Sequence, residues 1–244
     1  MTRTVALAGA TGGAGTTRLA VEMGAVLARS GRDVAIVDAA YETQGLADYV
    51  EGPIEADVTE LVTDGAPIEE VVHPVGLETP GQLSLCPARA PFERIARAKT
   101  AAAAEELEKQ VAAIALSHDA VLIDTPPVAS NQAVAAVNTA ERVVAVTPDS
   151  RRGADALARL QGRLADVGAS LDAVVGTVAD EGYVEAADVR VPRADTDDPA
   201  ACPVAHEGES PLMPAVAEAA EVVLADAVDA GVEDDGRLGG LFGG

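Results

Sequence analysis

Gly9-Ala10-Thr11-Gly12-Gly13-Ala14-Gly15-Thr16-Thr17 is the stretch on which the fold turns. An apolar run at 5–8 leads into it, and a helical pattern at 17–30, closed by Gly31, leads out. Small residues let a backbone wrap closely around phosphate oxygens. The helix start then presents N–H groups to negative charge. A glycine turn of purely structural purpose is the plainer alternative, but the strand–turn–helix order around the loop favours phosphate.

Outward from the loop, short apolar runs alternate with helical patterns. Strands are predicted at 34–37, 83–86, 121–123, 143–146 and 173–178. Helices are predicted at 58–63, 68–72, 131–138, 151–167 and 213–229, with one long Ala/Glu/Leu helix at 92–117. Ser150 is placed to cap the helix that begins at 151, and Gly168 to stop it. This alternation predicts an α/β fold of three layers, with helices on both faces of a mostly parallel sheet. Ligands in such folds bind beyond the carboxyl ends of the strands, where Asp38 and Asp124 stand. The domain is expected to span 1–230, with a flexible tail at 231–244. Residues 193–210, rich in Asp, Pro and Glu, read as a surface loop.

The 244 residues carry 40 acidic and 17 basic side chains, a net charge of −23. Only Lys99 and Lys109 are lysines, aromatics are 2%, and there is no Trp. Such a chain repels phosphate backbones and offers few rings for stacking, which argues against general nucleic-acid binding. It also argues against a polybasic membrane patch. The acid-rich, lysine-poor balance suggests adaptation to a high-salt cytoplasm, where screening relieves self-repulsion. Cys86 and Cys202 form no CxxC and suit a reduced compartment as packing residues. The first residues run directly into a strand, so no signal peptide is expected. No apolar run is long enough to cross a bilayer.

Two families could claim the glycine loop. Gly9-Ala10-Thr11-Gly12 with Gly15 is similar to the GxxGxxG turn of short-chain dehydrogenases, which would make the chain an NAD(P)-binding Rossmann oxidoreductase with Asp38 on a ribose. Those enzymes use a Tyr-x-x-x-Lys pair, and the residues four before Lys99 and Lys109 are Ile95 and Glu105. The other resemblance covers about 220 residues. Thr11-Gly12-Gly13-Ala14-Gly15-Thr16-Thr17 resembles the deviant Walker A loop, Lys-Gly-Gly-x-Gly-Lys-Thr, of the MinD/ParA family of P-loop ATPases. Residues 38–46 resemble its Asp-x-Asp switch segment. Val121-Leu122-Ile123-Asp124-Thr125-Pro126-Pro127 resembles its Walker B strand. Val189-Arg190-Val191-Pro192-Arg193-Ala194-Asp195 is similar to its late segment near the base pocket.

The resemblance implies a P-loop NTPase-like fold that binds ATP or ADP with Mg²⁺ and serves intracellular positioning or partitioning. It implies nucleotide-binding roles for Thr11, Gly12, Gly13, Ala14, Gly15, Thr16, Thr17, Asp38, Asp124 and Asp180, with Thr17 and Asp124 toward Mg²⁺. It implies a homodimer, or a heterodimer with an active paralogue, in the cytoplasm. The sequence also departs from the pattern. Thr16 stands where the family's phosphate-clamping lysine is expected and Thr11 where its second lysine is. Ala40 replaces the second switch Asp. Asp180 stands where a base-contacting Asn is expected, and an ionised Asp accepts hydrogen bonds without donating. These departures predict a degenerate site with weak or absent hydrolysis. An active ATPase of the same family is the alternative, and Arg18 is a candidate replacement for the lysine.

Three further features are set apart. Arg89, Arg94, Arg97 and Lys99 form a basic run, read as a solvated face balancing Glu93 and Glu105 rather than an acidic partner's contact. His73, His118 and His206 have no metal-ligand spacing. The C-terminal Leu-Phe-Gly-Gly resembles the membrane-targeting tail of MinD proteins. Leu238, Leu241 and Phe242 would share one helix face, which predicts weak docking on a membrane or partner and a peripheral location. The adjacent glycines oppose that helix.

Overall fold

Period-two alternation of apolar residues on both faces sets the sheet of the computed structural model. The structure describes residues 3–178, 182–196, 198–206 and 210–229. Asp180 and the tail residues Leu238, Leu241 and Phe242 lie outside them.

In β1 (Arg3–Gly9), Val5 and Leu7 enter one core while Ala6 and Ala8 enter another on the opposite face. In β2 (Val34–Asp38) and β5 (Ala120–Thr125), Ile36 and Leu122 face the first core. Val37 and Ile123 face the second side. Strands buried on both faces need helices on both, which parallel crossovers provide. The helices α1 (Thr16–Arg29) and α8 (Met213–Leu224) cover one face. On the other lie α2 (Val58–Asp64), α5 (Ala101–Ile114), α6 (Asn131–Thr139) and α7 (Arg151–Asp166).

The other strands are β3 (His73–Pro74), β4 (Leu83–Cys86), β6 (Arg142–Pro148), β7 (Ala173–Thr177) and β8 (Val189–Val191). The order across the sheet is β3-β4-β2-β5-β1-β6-β7-β8, and only the β3–β4 pair is antiparallel. The central strand β1 thus lies between β5 and β6, and its glycine loop opens at the middle of the carboxyl edge.

The predicted strands and helices are present, but the last helix stops at Leu224 rather than at 229, where Ala225 turns left-handed, and there are three further differences. The long helix at 92–117 is two helices, α4 (Phe92–Ala98) and α5, followed by a 3₁₀ turn. Thr100 makes the break, because its hydroxyl accepts the Ala103 N–H as a fresh N-cap. The short strands β3 and β8 were not predicted. Residues 193–206 are more than a surface loop: they contain a 3₁₀ turn (Pro199–Ala201), and Ala205 is fully buried against α1. The short α3 (Ile68–Val71) follows α2 as expected. Ser150 caps α7 by accepting the Gly153 N–H at 3.1 Å.

Candidate functional site

The glycine loop is held by backbone bonds. Ala10 N–H extends the β1 ladder onto Val146 O at 2.8 Å, and Ala14 N–H closes a turn on Thr11 O at 3.2 Å. Gly13 and Gly15 take φ of 74° and 80°, the left-handed region that costs a side chain energy. Gly15 enters α1 with no side-chain cap, and the first turn of α1 carries no acidic residue. Its first N–H groups are therefore left for a ligand, at the positive end of the helix dipole.

Two strands carry carboxylates at their ends, beside this loop. The Thr17 hydroxyl donates to Asp124 Oδ2 at 2.5 Å, which ties the first turn of α1 to the end of β5. Asp38 ends β2 directly opposite Asp124 in the sheet register. Asp38 Oδ1 accepts the Ala40 N–H at 2.8 Å, and Oδ2 accepts the Ala88 N–H at 3.3 Å. Both carboxyls are buried. Burial first, and the neighbouring Asp124 second, push Asp38 up to about 8. Burial pushes Asp124 up to about 6, against the Thr17 hydrogen bond. Two carboxylates forced together away from water favour sharing a proton or a cation.

A cavity of about 380 Å³ opens above this group, lined by the whole loop from Thr11 to Thr17, by Ala40 and by Asp124. Asp48, Tyr49 and Pro199 also line it, from a 3₁₀ helix (Gly45–Tyr49) and the later loop. Sequence reasoning did not find these three, and no motif marks them. A second cavity of about 280 Å³ adjoins at Gly13, Gly15 and Arg18 and is walled by Thr177, Val191 and Pro192. The Thr177 hydroxyl donates to Ala14 O at 2.6 Å, so β7 braces the loop from this side. Val178, also on this wall, has φ 54°, a strained conformation for a β-branched residue.

Among the described residues, Arg18 is the one cationic side chain lining the larger cavity. Two of its nitrogens are engaged by the protein itself, and its buried Nη2 has no hydrogen-bond partner. Its Nε donates to Glu22 Oε1 at 2.7 Å and its Nη1 to Thr196 O at 3.0 Å. Glu22, itself buried, accepts the N–H groups of Val204 and Ala205 at 2.9 and 2.7 Å. Arg18 and Glu22 thus strap Thr196, Val204 and Ala205 onto α1.

Arg94, Arg97 and Lys99 of the basic run are also committed, but to partners other than the expected glutamates. Arg94 pairs with Asp57 and Glu60, Arg97 with Asp64, and Lys99 with Glu42. Lys109 pairs with Glu106 on the outer helix. Among the described residues, no group of three His, Cys, Asp or Glu gathers as a metal site, and no helix is long and apolar enough to cross a membrane. Cys86 is buried, with its thiol pushed up to about 12 by burial.

The strand order decides between the two family readings. In the dinucleotide-binding fold, β1 and β2 are neighbours. Here β5 lies between them. That insertion brings Asp124 beside Asp38 and across from Thr17, as a P-loop phosphate site requires.

Comparison with known proteins agrees. Residues 2–173 match the family model described as an AAA domain. The septum site-determining protein MinD from Pyrococcus horikoshii, complexed with Mg-ADP, superposes with a TM-score of 0.77 at 18% identity, over 91% of this chain and 95% of that one. A plasmid partition protein from Borrelia burgdorferi bound to AMPPNP gives 0.74 at 11% identity, over 92% and 98%. Cobyrinic acid a,c-diamide synthase from Mycobacterium smegmatis, with ADP and magnesium, gives 0.63 at 20%, over 82% and 91%. No curated protein sequence matches significantly. A matching family model over most of the chain places the protein in the AAA domain family, and the strand order and loop give it the fold of the MinD and plasmid partition structures.

Proposed function

We propose that this chain is a nucleotide-binding switch for intracellular positioning or partitioning, which holds ATP or ADP with Mg²⁺ and hydrolyses it slowly or not at all. The observation that carries this reading is the Thr17–Asp124 hydrogen bond of 2.5 Å beside an uncapped glycine loop, with threonine at both expected lysine positions. The oxygens of Thr17 and Asp124 suit a hard divalent cation. Thr17 and Asp124 would hold Mg²⁺, which would supply positive charge against a bound phosphate chain. The chain's own contribution is the backbone cradle from Gly12 to Thr17, which positions a phosphate chain. The adjoining cavity at Thr177 and Pro192 would receive a base.

What the site lacks bears on turnover. Ala40 lines the cavity with a methyl group where a carboxylate would orient a water. A missing phosphate-clamping cation costs roughly 10²–10³ in rate. The test is titration of the purified chain in molar KCl with ATP, ADP, GTP and NADPH, followed by a phosphate-release assay. ATP and ADP should bind, with turnover below about 1 min⁻¹, far under the enzyme median. Turnover at or above that rate would make the protein an active ATPase; binding of NADPH alone would end the nucleotide-switch reading.

The switch reading includes a homodimer, or a heterodimer with an active paralogue, in a salt-rich cytoplasm. Weak docking through Leu238, Leu241 and Phe242 belongs to the same reading. Flotation with anionic vesicles should recover more of the full chain than of a chain ending at Glu233. Equal recovery would remove the tail from the proposal.

A further inference from the structure

With 17 basic side chains against 40 acidic ones, an unpaired cation should be the exception in this chain. Among the described residues, every Arg and Lys outside α7, Arg89 aside, is engaged. Some hold carboxylates, as Arg3 holds Glu141 and Arg190 holds Asp149. Others hold backbone carbonyls, as Arg29 and Arg142 do. On α7 the pattern reverses. Arg151, Arg152, Arg159 and Arg163 are exposed, and none of their guanidinium groups makes a hydrogen bond or ion pair with a described residue.

Carboxylates stand within helical reach of them. Asp155 is four positions from both Arg151 and Arg159, and Asp166 is three from Arg163, spacings at which side chains pair. The arginines are left unpaired all the same. Arg151 and Arg152 also occupy the first turn, where the helix dipole disfavours positive charge. None of the four lines either cavity at the glycine loop.

Their placement describes a surface. Arg152, Arg159 and Arg163, at i, i+7 and i+11, form a row along one flank of α7, about 16 Å long at about 1.5 Å per residue. Beside the row, Ala158, Gly162 and Ala165 are exposed at i, i+4 and i+7. A Cβ at Gly162 would meet nothing within 4 Å. Small residues let a second helix approach closely, and charges flanking the seam then set its orientation. Among the described residues, α7 exposes no large apolar side chain that could enter a bilayer. A nucleic-acid strand running on past the row would meet a chain of net charge −23. A single acidic helix matches the row in charge and in length and extends no further.

We propose that this flank of α7 docks a helix of a partner protein that carries carboxylates along one side. Its carboxylates pair with Arg152, Arg159 and Arg163, and its backbone lies over Ala158, Gly162 and Ala165. The contact does not rest on the nucleotide-binding reading.

The experiment is fluorescence-anisotropy titration of the full chain, in one potassium chloride buffer, against three labelled probes. The first is an alanine-based helical peptide with Glu at i, i+4, i+7 and i+11. The second has the same composition with its Glu spread around the helix, and the third is duplex DNA of similar length. The aligned peptide should bind more tightly than the other two. The triple variant Arg152→Gln/Arg159→Gln/Arg163→Gln should bind it about tenfold more weakly, as three exposed ion pairs allow. Ala158→Trp should also weaken it with every charge in place. Both variants should keep the parent's urea midpoint and its affinity for ATP. Equal binding of the two peptides, or no binding of either, would overturn the proposal. So would an undiminished affinity in the triple variant. Tighter binding of the DNA, or a loss of anionic-vesicle flotation in the triple variant, would overturn it in favour of that other polyanion.

Discussion

Gly153→Ala should lower the free energy of unfolding by at least about 3 kcal/mol, the upper end for overpacking. Helix α7 turns back sharply from β6, and Gly153 sits in its first turn. A Cβ there would fall 1.8 Å from Pro148 O and 2.9 Å from both the Pro148 carbonyl carbon and Thr147 Oγ1. Those atoms cannot retreat, because β6 is paired on both sides, to β1 and β7. Moving the helix is no easier. The Gly153 N–H is held by Ser150 Oγ, and its carbonyl accepts the buried Thr147 hydroxyl at 3.0 Å. Gly162→Ala in the same helix is the control. A Cβ at Gly162 meets nothing within 4 Å, so it should stabilise by about 0.5–1 kcal/mol. Urea unfolding of the three proteins measures both; a Gly153→Ala loss under about 1 kcal/mol would mean that the turn yields.

The second large effect is a pH dependence carried by Asp38. Its carboxyl titrates near 3.8 in an unfolded chain and is pushed up to about 8 in the folded one. Between those values the native state holds a proton that the unfolded state has released. Stability is therefore fully present below pH 4 and declines as pH rises toward 8. Asp124 shifts the same way, to about 6, so the upper part of the window belongs to Asp38. Asp38→Asn keeps an oxygen for the Ala40 N–H and removes the buried charge, at the cost of the long Ala88 contact. In Mg²⁺-free buffer the parent should lose about 2 kcal/mol between pH 6 and 8, and the variant much less. Urea midpoints at the two pH values decide it. Equal losses would place the charge outside the Asp38–Asp124 pair.

Much of this molecule can be read from its residues, and the reasons are local. Buried parallel strands appear as short apolar runs such as Val34-Ala35-Ile36-Val37. The chemistry beyond their carboxyl ends, at Gly9, Asp38 and Asp124, follows from where each run stops. The break at Thr100 is hidden because alanines on both sides suit one long helix, and a hydroxyl cap competes with continuation by only about 1 kcal/mol. Strands of two or three residues leave no period to detect. The neighbours of β1 are a tertiary fact that no local pattern encodes, yet they are what separates a P-loop from a dinucleotide fold. Asp48, Tyr49 and Pro199 reach the cavity from irregular turns. The aim of Arg18 depended on Glu22, a helical turn away, finding buried N–H groups at Val204 and Ala205.

That last contact joins residues 183 positions apart, and the brace from Thr177 to Ala14 spans 163. The glycine loop is synthesised well before the residues that wall it. A growing chain must therefore carry its phosphate loop unfinished until those residues have been made, and contacts of such long range form slowly. A product cut short before Thr177 keeps every glycine of the loop and lacks the brace that shapes it. Ligand competence in this protein thus certifies a chain made past its braces at Thr177 and Ala205.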